Sequence, residues 1–156
     1  METILFVCTG NTCRSSMAEV LFKDLLQKSG EELANIKVMS AGIYANPGDT
    51  AADQAIEVVE GLGLSLREHR ARILTKDLLQ EADLILTMTM HHKLAILQIA
   101  PHVQDKVFTL KEYANAGDTI EDVNISDPFG QSVEIYRKSA NEIMKALKKV
   151  LVRIQK

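Results

Sequence analysis

Ile4-Leu5-Phe6-Val7-Cys8-Thr9-Gly10-Asn11-Thr12-Cys13-Arg14-Ser15 is the stretch on which the fold turns. Ile4 to Val7 is a short apolar run rich in strand formers, the mark of a buried strand. From Ser15 to Lys28 the spacing changes: Met17, Val20, Leu21, Leu25 and Leu26 recur with helical period. A strand therefore runs into a helix across one short loop. The same alternation continues downstream. Strands are expected at Ile36–Ser40, Leu84–Thr87 and Lys106–Thr109. Helices are expected at Thr50–Leu62, Thr75–Gln80, His91–Ile99 and Ser132–Arg153, with a long loop from Asn115 to Gly130. Strands alternating with helices predict an α/β three-layer sandwich: a mainly parallel sheet with helices on both faces. Such a sheet places ligands at the C-terminal ends of its strands, where the loop from Cys8 to Ser15 lies.

The totals bound the rest. The chain has 156 residues, which suits one domain spanning 1–156. Its net charge of −3 argues against a nucleic-acid binder working by bulk charge, so an anion site must be local. No apolar run reaches the length of a membrane helix, and a strand starting almost at Met1 leaves no room for a signal peptide. These features set the expectation of a cytoplasmic protein with no membrane partner. Two cysteines inside one loop are no secreted disulfide framework; they suit catalysis or redox chemistry. Lys145, Lys148, Lys149 and Arg153 read as a solvated face near a helix C-terminus.

Five residues separate Cys8 from Arg14. A phosphate held there would meet successive backbone N–H groups and the positive end of a helix. Gly10 and Asn11 tolerate the backbone angles a cradling loop demands. Arg14 offers a planar fork of donors to two phosphate oxygens. The same groups favour the thiolate form of Cys8, so one loop binds the dianion and arms the attacker. His91, His92 and His102 share no ligand geometry with a cysteine; they read as surface residues, and no metal site is expected.

The segment Val7 to Ser15 resembles the signature of the low-molecular-weight protein tyrosine phosphatases. The likeness spans nearly the whole chain, including Ser40-Ala41-Gly42, the His69 to Arg72 segment, Ala82 to Met88 and the Asp127-Pro128 pair. It implies a four-stranded parallel sheet and a phospho-cysteine mechanism without cofactor, in which Cys8, Arg14 and Asp127 are catalytic. Thr9, Gly10, Asn11, Thr12, Cys13 and Ser15 complete the phosphate loop. Asp127 would be the general acid, with Pro128 restricting its backbone to extended conformations. Asn11, Ser15, Ser40 and His69 match residues that support the loop by hydrogen bonds. One position departs from the pattern: Ser16 stands where the family usually has Pro.

Thr12 and Phe129 bear on the substrate. Tyrosine-specific members usually carry a bulkier aliphatic residue at the position of Thr12 and often show a pair of tyrosines after Asp-Pro. Thr12 and Phe129 resemble the bacterial protein arginine phosphatase branch, which implies phosphorylated protein substrates and a monomer. Phosphoarginine presents a planar, donor-rich guanidinium, to which a short polar side chain offers room and an acceptor. Phosphotyrosine hydrolysis is the alternative. An arsenate reductase would need cysteines after Cys13, and none follows; a phospho-cysteine carrier would not need Arg14 and Asp127 together. Cys13 either packs in the core or, as the resemblance implies, forms a disulfide with Cys8 under oxidation, which would require the loop to rearrange.

Overall fold

The computed structural model describes residues 1–116 and 118–155. Four strands form one sheet in the order β2-β1-β3-β4, and every pairing is parallel. They are β1 (Thr3–Cys8), β2 (Lys37–Gly42), β3 (Leu84–Thr87) and β4 (Val107–Thr109). All six residues of β1 are buried, because helices cover both faces of the sheet. Alternate residues of β1 feed two cores. Ile4 and Phe6 meet Met17, Leu21 and Phe22 of α1 (Arg14–Gln27), Val59 of α3 (Asp53–Glu60), and Ile143 and Leu147 of α7 (Val133–Gln155). Leu5 and Val7 meet Leu79 of α4 (Lys76–Glu81), Ile96 of α5 (Met90–Ile99) and Val103 of the 3-10 turn Pro101–Lys106.

The chain leaves β1 toward β2 on one side and returns to β3 on the other. The C-terminal end of β1 is therefore the point where strand order reverses, and crevices form there in open α/β sheets. Cys8 is its last residue, paired with Gly42.

The expected elements stand, with shifted ends and a few additions. β2 starts at Lys37 because the Ile36 N–H closes a turn onto Leu33 O, and it runs on to Gly42 beside Cys8. The helix expected from Thr50 begins at Asp53: Thr50 bridges to Arg70, and the Ala52 N–H is drawn to Thr12 O. Lys106 ends the 3-10 turn instead of opening β4, and its ammonium donates to the carbonyls of Gln80 and Ala82. Two short helices, α2 (Glu31–Ala34) and α6 (Leu110–Ala114), were not expected; α6 opens with a full capping box between Thr109 and Glu112. The loop after it contains Gly117, which lies outside the described residues. Lys145, Lys148 and Lys149 are exposed, but Arg153 departs from the solvated-face reading: its guanidinium lies over the Tyr113 ring at 3.8 Å and donates to Tyr113 O. Among the described residues no helix is long and apolar enough to cross a membrane.

Candidate active site

The turn from β1 into α1 is built around one left-handed residue. Asn11 has φ 60°, a conformation that asparagine adopts more readily than other non-glycine residues. The expectation paired Gly10 with it, but Asn11 alone takes the left-handed angle in this loop. Asn11 is fully buried and every polar group it carries is used. Its Nδ2 donates to Ser15 Oγ (2.9 Å) and Ser40 Oγ (2.8 Å), and its Oδ1 accepts from Arg72 N–H (2.9 Å). Its carbonyl meets His69 Nε2 at 2.6 Å. The four residues expected to support the loop are thus in one network. Ser40 passes its own proton to Glu19 Oε1 at 2.6 Å, a partner that the linear pattern did not reveal.

Ser15 accepts from Asn11, which leaves its proton for Cys8. Ser15 Oγ lies 2.8 Å from Cys8 Sγ, and the Asn11 N–H lies 3.3 Å from the same sulfur. Helix α1 begins at Arg14, and no side chain caps it. Its first-turn N–H groups are thus open to an acceptor from outside the helix, and they carry the positive end of the helix dipole. Ser16 sits in that first turn; its hydroxyl donates to Cys13 O at 2.9 Å.

A cavity of about 250 Å³ opens above Cys8. Thr9, Gly10, Thr12, Cys13 and Arg14 wall it from the loop side, and Asp127 and Phe129 from the loop that precedes α7. Arg14 is buried; its Nη1 donates to Ile125 O at 2.9 Å, and its Nη2 lies 3.6 Å from Asp127 Oδ2. Asp127 is poised at the mouth, with its side chain 56% exposed, and its Oδ1 accepts the Phe129 N–H at 3.1 Å. Phe129 is 71% exposed. Ser126, next to Asp127, is tied to α7: its hydroxyl donates to Glu142 Oε2 and its carbonyl accepts from Ser139 Oγ.

The two sulfurs sit in different surroundings, and both are free thiols. Cys13 Sγ faces Tyr136 OH at 3.2 Å. Burial pushes the Cys13 thiol up from its ordinary value, and burial likewise pushes the Tyr136 phenol up. Tyr136 lies 123 positions from Cys13, so no local pattern could have signalled it. Among the described residues the Thr12 hydroxyl has only a weak contact, with Cys13 Sγ at 3.7 Å, and Thr12 lines the cavity.

His92 corrects the surface reading given to it with His91 and His102. It is buried: its Nε2 meets Thr9 Oγ1 at 2.9 Å, and its Nδ1 meets Thr89 Oγ1 at 3.0 Å. The physical reason is its place in the first turn of α5, directly after β3, which turns it under the neighbouring loop of β1. Burial, reinforced by the positive charge of Arg14, holds its pKa down to about 4, so the ring is neutral at neutral pH.

Comparison with known proteins agrees with this geometry. The family model described as "Low molecular weight phosphotyrosine protein phosphatase" matches residues 3–156. A protein-arginine-phosphatase of Bacillus subtilis is 41% identical over 155 residues, covering 98% of this chain and 97% of the relative. The low molecular weight protein-tyrosine-phosphatase PtpB of Staphylococcus epidermidis is 37% identical over 147 residues, covering 94% of this chain and 95% of its own. A solved structure of the YwlE arginine phosphatase, a mutant with a phosphorylated active-site serine, superposes with a TM-score of 0.90 at 40% identity, covering 99% of this chain and 96% of that one. The chain belongs to the low molecular weight phosphotyrosine protein phosphatase family.

Proposed function

We propose that this chain hydrolyses phosphoarginine in proteins through a phospho-cysteine intermediate on Cys8. The observation that carries the reading is the cavity itself: a cysteine at its floor, an uncapped helix N-terminus beside it, and Arg14 and Asp127 on its walls. In the first step the Cys8 sulfur attacks phosphorus. The phosphorus–nitrogen bond to the guanidinium breaks, and Asp127 gives its proton to the leaving nitrogen. Arg14 and the loop N–H groups take up the charge on the phosphoryl oxygens. In the second step ionised Asp127 takes a proton from water, the water oxygen attacks phosphorus, and the phosphorus–sulfur bond breaks. Ser15 Oγ, 2.8 Å from Cys8 Sγ, stabilises the departing thiolate.

Two features support arginine over tyrosine as the phosphorylated residue. Thr12 offers the cavity a hydroxyl, and only a weak sulfur contact competes for it. The B. subtilis relative, covered almost end to end, is named a protein-arginine-phosphatase. The S. epidermidis relative keeps phosphotyrosine hydrolysis as the second reading. The same reading makes the chain one catalytic domain, acting as a monomer on cytoplasmic phosphoproteins. The test compares kcat/KM on a phosphoarginine protein and a phosphotyrosine peptide, for the wild type and for Thr12→Ile. Arginine preference in the wild type, shifted toward tyrosine by Thr12→Ile, is expected. The change removes an acceptor from a buried N–H, which costs about 1–3 kcal/mol and so lowers the arginine rate roughly 5- to 150-fold. A ratio unmoved by the substitution would take specificity away from Thr12.

A further inference from the structure

We infer that the Thr9 hydroxyl donates its proton to the bound phosphoryl group, and that His92 is the positioning residue that turns it there. The inference rests on the phosphatase reading of the cavity and deepens it, adding a side-chain donor to a cradle otherwise made of backbone N–H groups and Arg14.

Thr89 caps helix α5: its Oγ1 accepts the backbone N–H of His92 at 3.2 Å. We assign the Thr89 hydroxyl as the donor to His92 Nδ1, 3.0 Å away. A neutral imidazole that accepts at Nδ1 carries its proton on Nε2. Nε2–H then donates to Thr9 Oγ1 at 2.9 Å. Thr9 Oγ1 thereby becomes an acceptor toward the protein interior, and its own proton is left to spend elsewhere. Among the described residues His92 is the only side-chain partner of this hydroxyl. Thr9 is exposed on the wall of the cavity, next to Cys8. The loop N–H groups and Arg14 around it are donors and cannot receive the proton. Asp127 is already turned to Arg14 and to the Phe129 N–H. An oxygen of the bound anion is the acceptor that completes the chain Thr89–His92–Thr9.

The arrangement also explains why a histidine is buried here at all. A buried polar side chain costs stability unless each of its nitrogens is paired, and both nitrogens of His92 are. His92 touches no reacting atom; it acts through Thr9.

The probe is inorganic phosphate, read as a competitive inhibition constant against hydrolysis of a small aryl phosphate. Four proteins are compared: wild type, Thr9→Val, His92→Leu and the double variant; Thr9→Ser serves as the conservative control. A hydrogen bond to a charged group is worth a factor of about 10 or more in affinity, so Thr9→Val should weaken phosphate binding by about 10-fold or more. Thr9→Ser should restore most of the loss. His92→Leu should weaken phosphate comparably, and the double variant should be no worse than Thr9→Val alone, because His92 acts only through that hydroxyl. If His92→Leu does not fold, His92→Asn, too short to reach Thr9, takes its place in the cycle. Phosphate affinity unchanged by Thr9→Val, or losses that simply add, would overturn the inference while leaving the enzyme a phosphatase. A wild type that neither hydrolyses aryl phosphate nor binds phosphate would overturn the phosphatase reading itself.

Discussion

Gly42→Ala should disable the phosphate loop without altering any side chain that contacts substrate. Gly42 ends β2 beside Cys8, and the loop crosses directly over its α-carbon. A β-carbon added there would lie 2.5 Å from Thr9 O, 2.9 Å from Asn11 N and 2.9 Å from Gly10 C. All three are backbone atoms, so no side chain can swing away. An ordinary carbon–oxygen contact needs more than 3 Å, so the loop must move by the better part of an ångström, or β2 must move off β1. The second escape is resisted by the ladder between Cys8 and Gly42 and by the bonds Gly42 N–H to Arg72 O and Leu74 N–H to Gly42 O. The loop is the softer element, and its displacement would carry the Asn11 N–H away from Cys8 Sγ. A misplacement near 1 Å costs about 10²-fold in rate, and overpacking of this kind costs roughly 1–3 kcal/mol of stability. The assay is kcat/KM on an aryl phosphate, beside a urea unfolding curve. The expected result is a folded protein with a loss of about two orders of magnitude in kcat/KM. Wild-type turnover from Gly42→Ala would refute the claim that close backbone approach at this residue sets the loop.

Other outcomes follow from the same geometry. Asp127→Asn should lower kcat by about 10²–10⁴, with a smaller loss for aryl phosphates whose leaving groups need no proton; an equal loss for all leaving groups would rule out the acid role. Peroxide should inactivate the enzyme reversibly, and Cys13→Ser should make recovery with a thiol reductant harder; equal recovery would leave Cys13 as the packing residue that its contact with Tyr136 also allows. Acid should destabilise the fold through His92. Its folded pKa, about 4, lies below the ordinary 6.5. The unfolded chain therefore binds a proton that the fold refuses, and stability falls as pH drops from about 6.5 toward 4. Between pH 7 and pH 5 this one group removes about 2 kcal/mol, and His92→Gln should remove that part of the slope in urea unfolding. An identical slope in the variant would show that the ring is not held neutral.

Much of this was legible because the chemistry is local. Strand, loop and helix around Cys8 are contiguous, and the type of residue at Asn11 announces its left-handed backbone. Apolar runs buried on both faces, as in β1, and long amphipathic helices, as in α7, show their period directly. The two short helices α2 and α6 and the 3-10 turn span too few residues for a period to form. Distant partners leave no trace in a linear pattern: Glu19 on Ser40, Tyr136 on Cys13 and Arg72 N–H on Asn11 meet only after the sheet closes. His92 was misread for a related reason. Adjacent histidines at the start of a helix look alike in sequence, and only the approach of Thr9 from the loop after the neighbouring strand decides that one is buried.

The central claim is that Cys8 carries the phosphoryl group in transit from arginine to water. A rapid-quench experiment with a radiolabelled phosphoarginine protein tests it most directly, followed by peptide mapping of the trapped enzyme. The account predicts transient label on the peptide containing Cys8, longer-lived in Asp127→Asn because water is no longer activated, and absent from Cys8→Ala. Label on another side chain, or release of phosphate at an undiminished rate from Cys8→Ala, would contradict it.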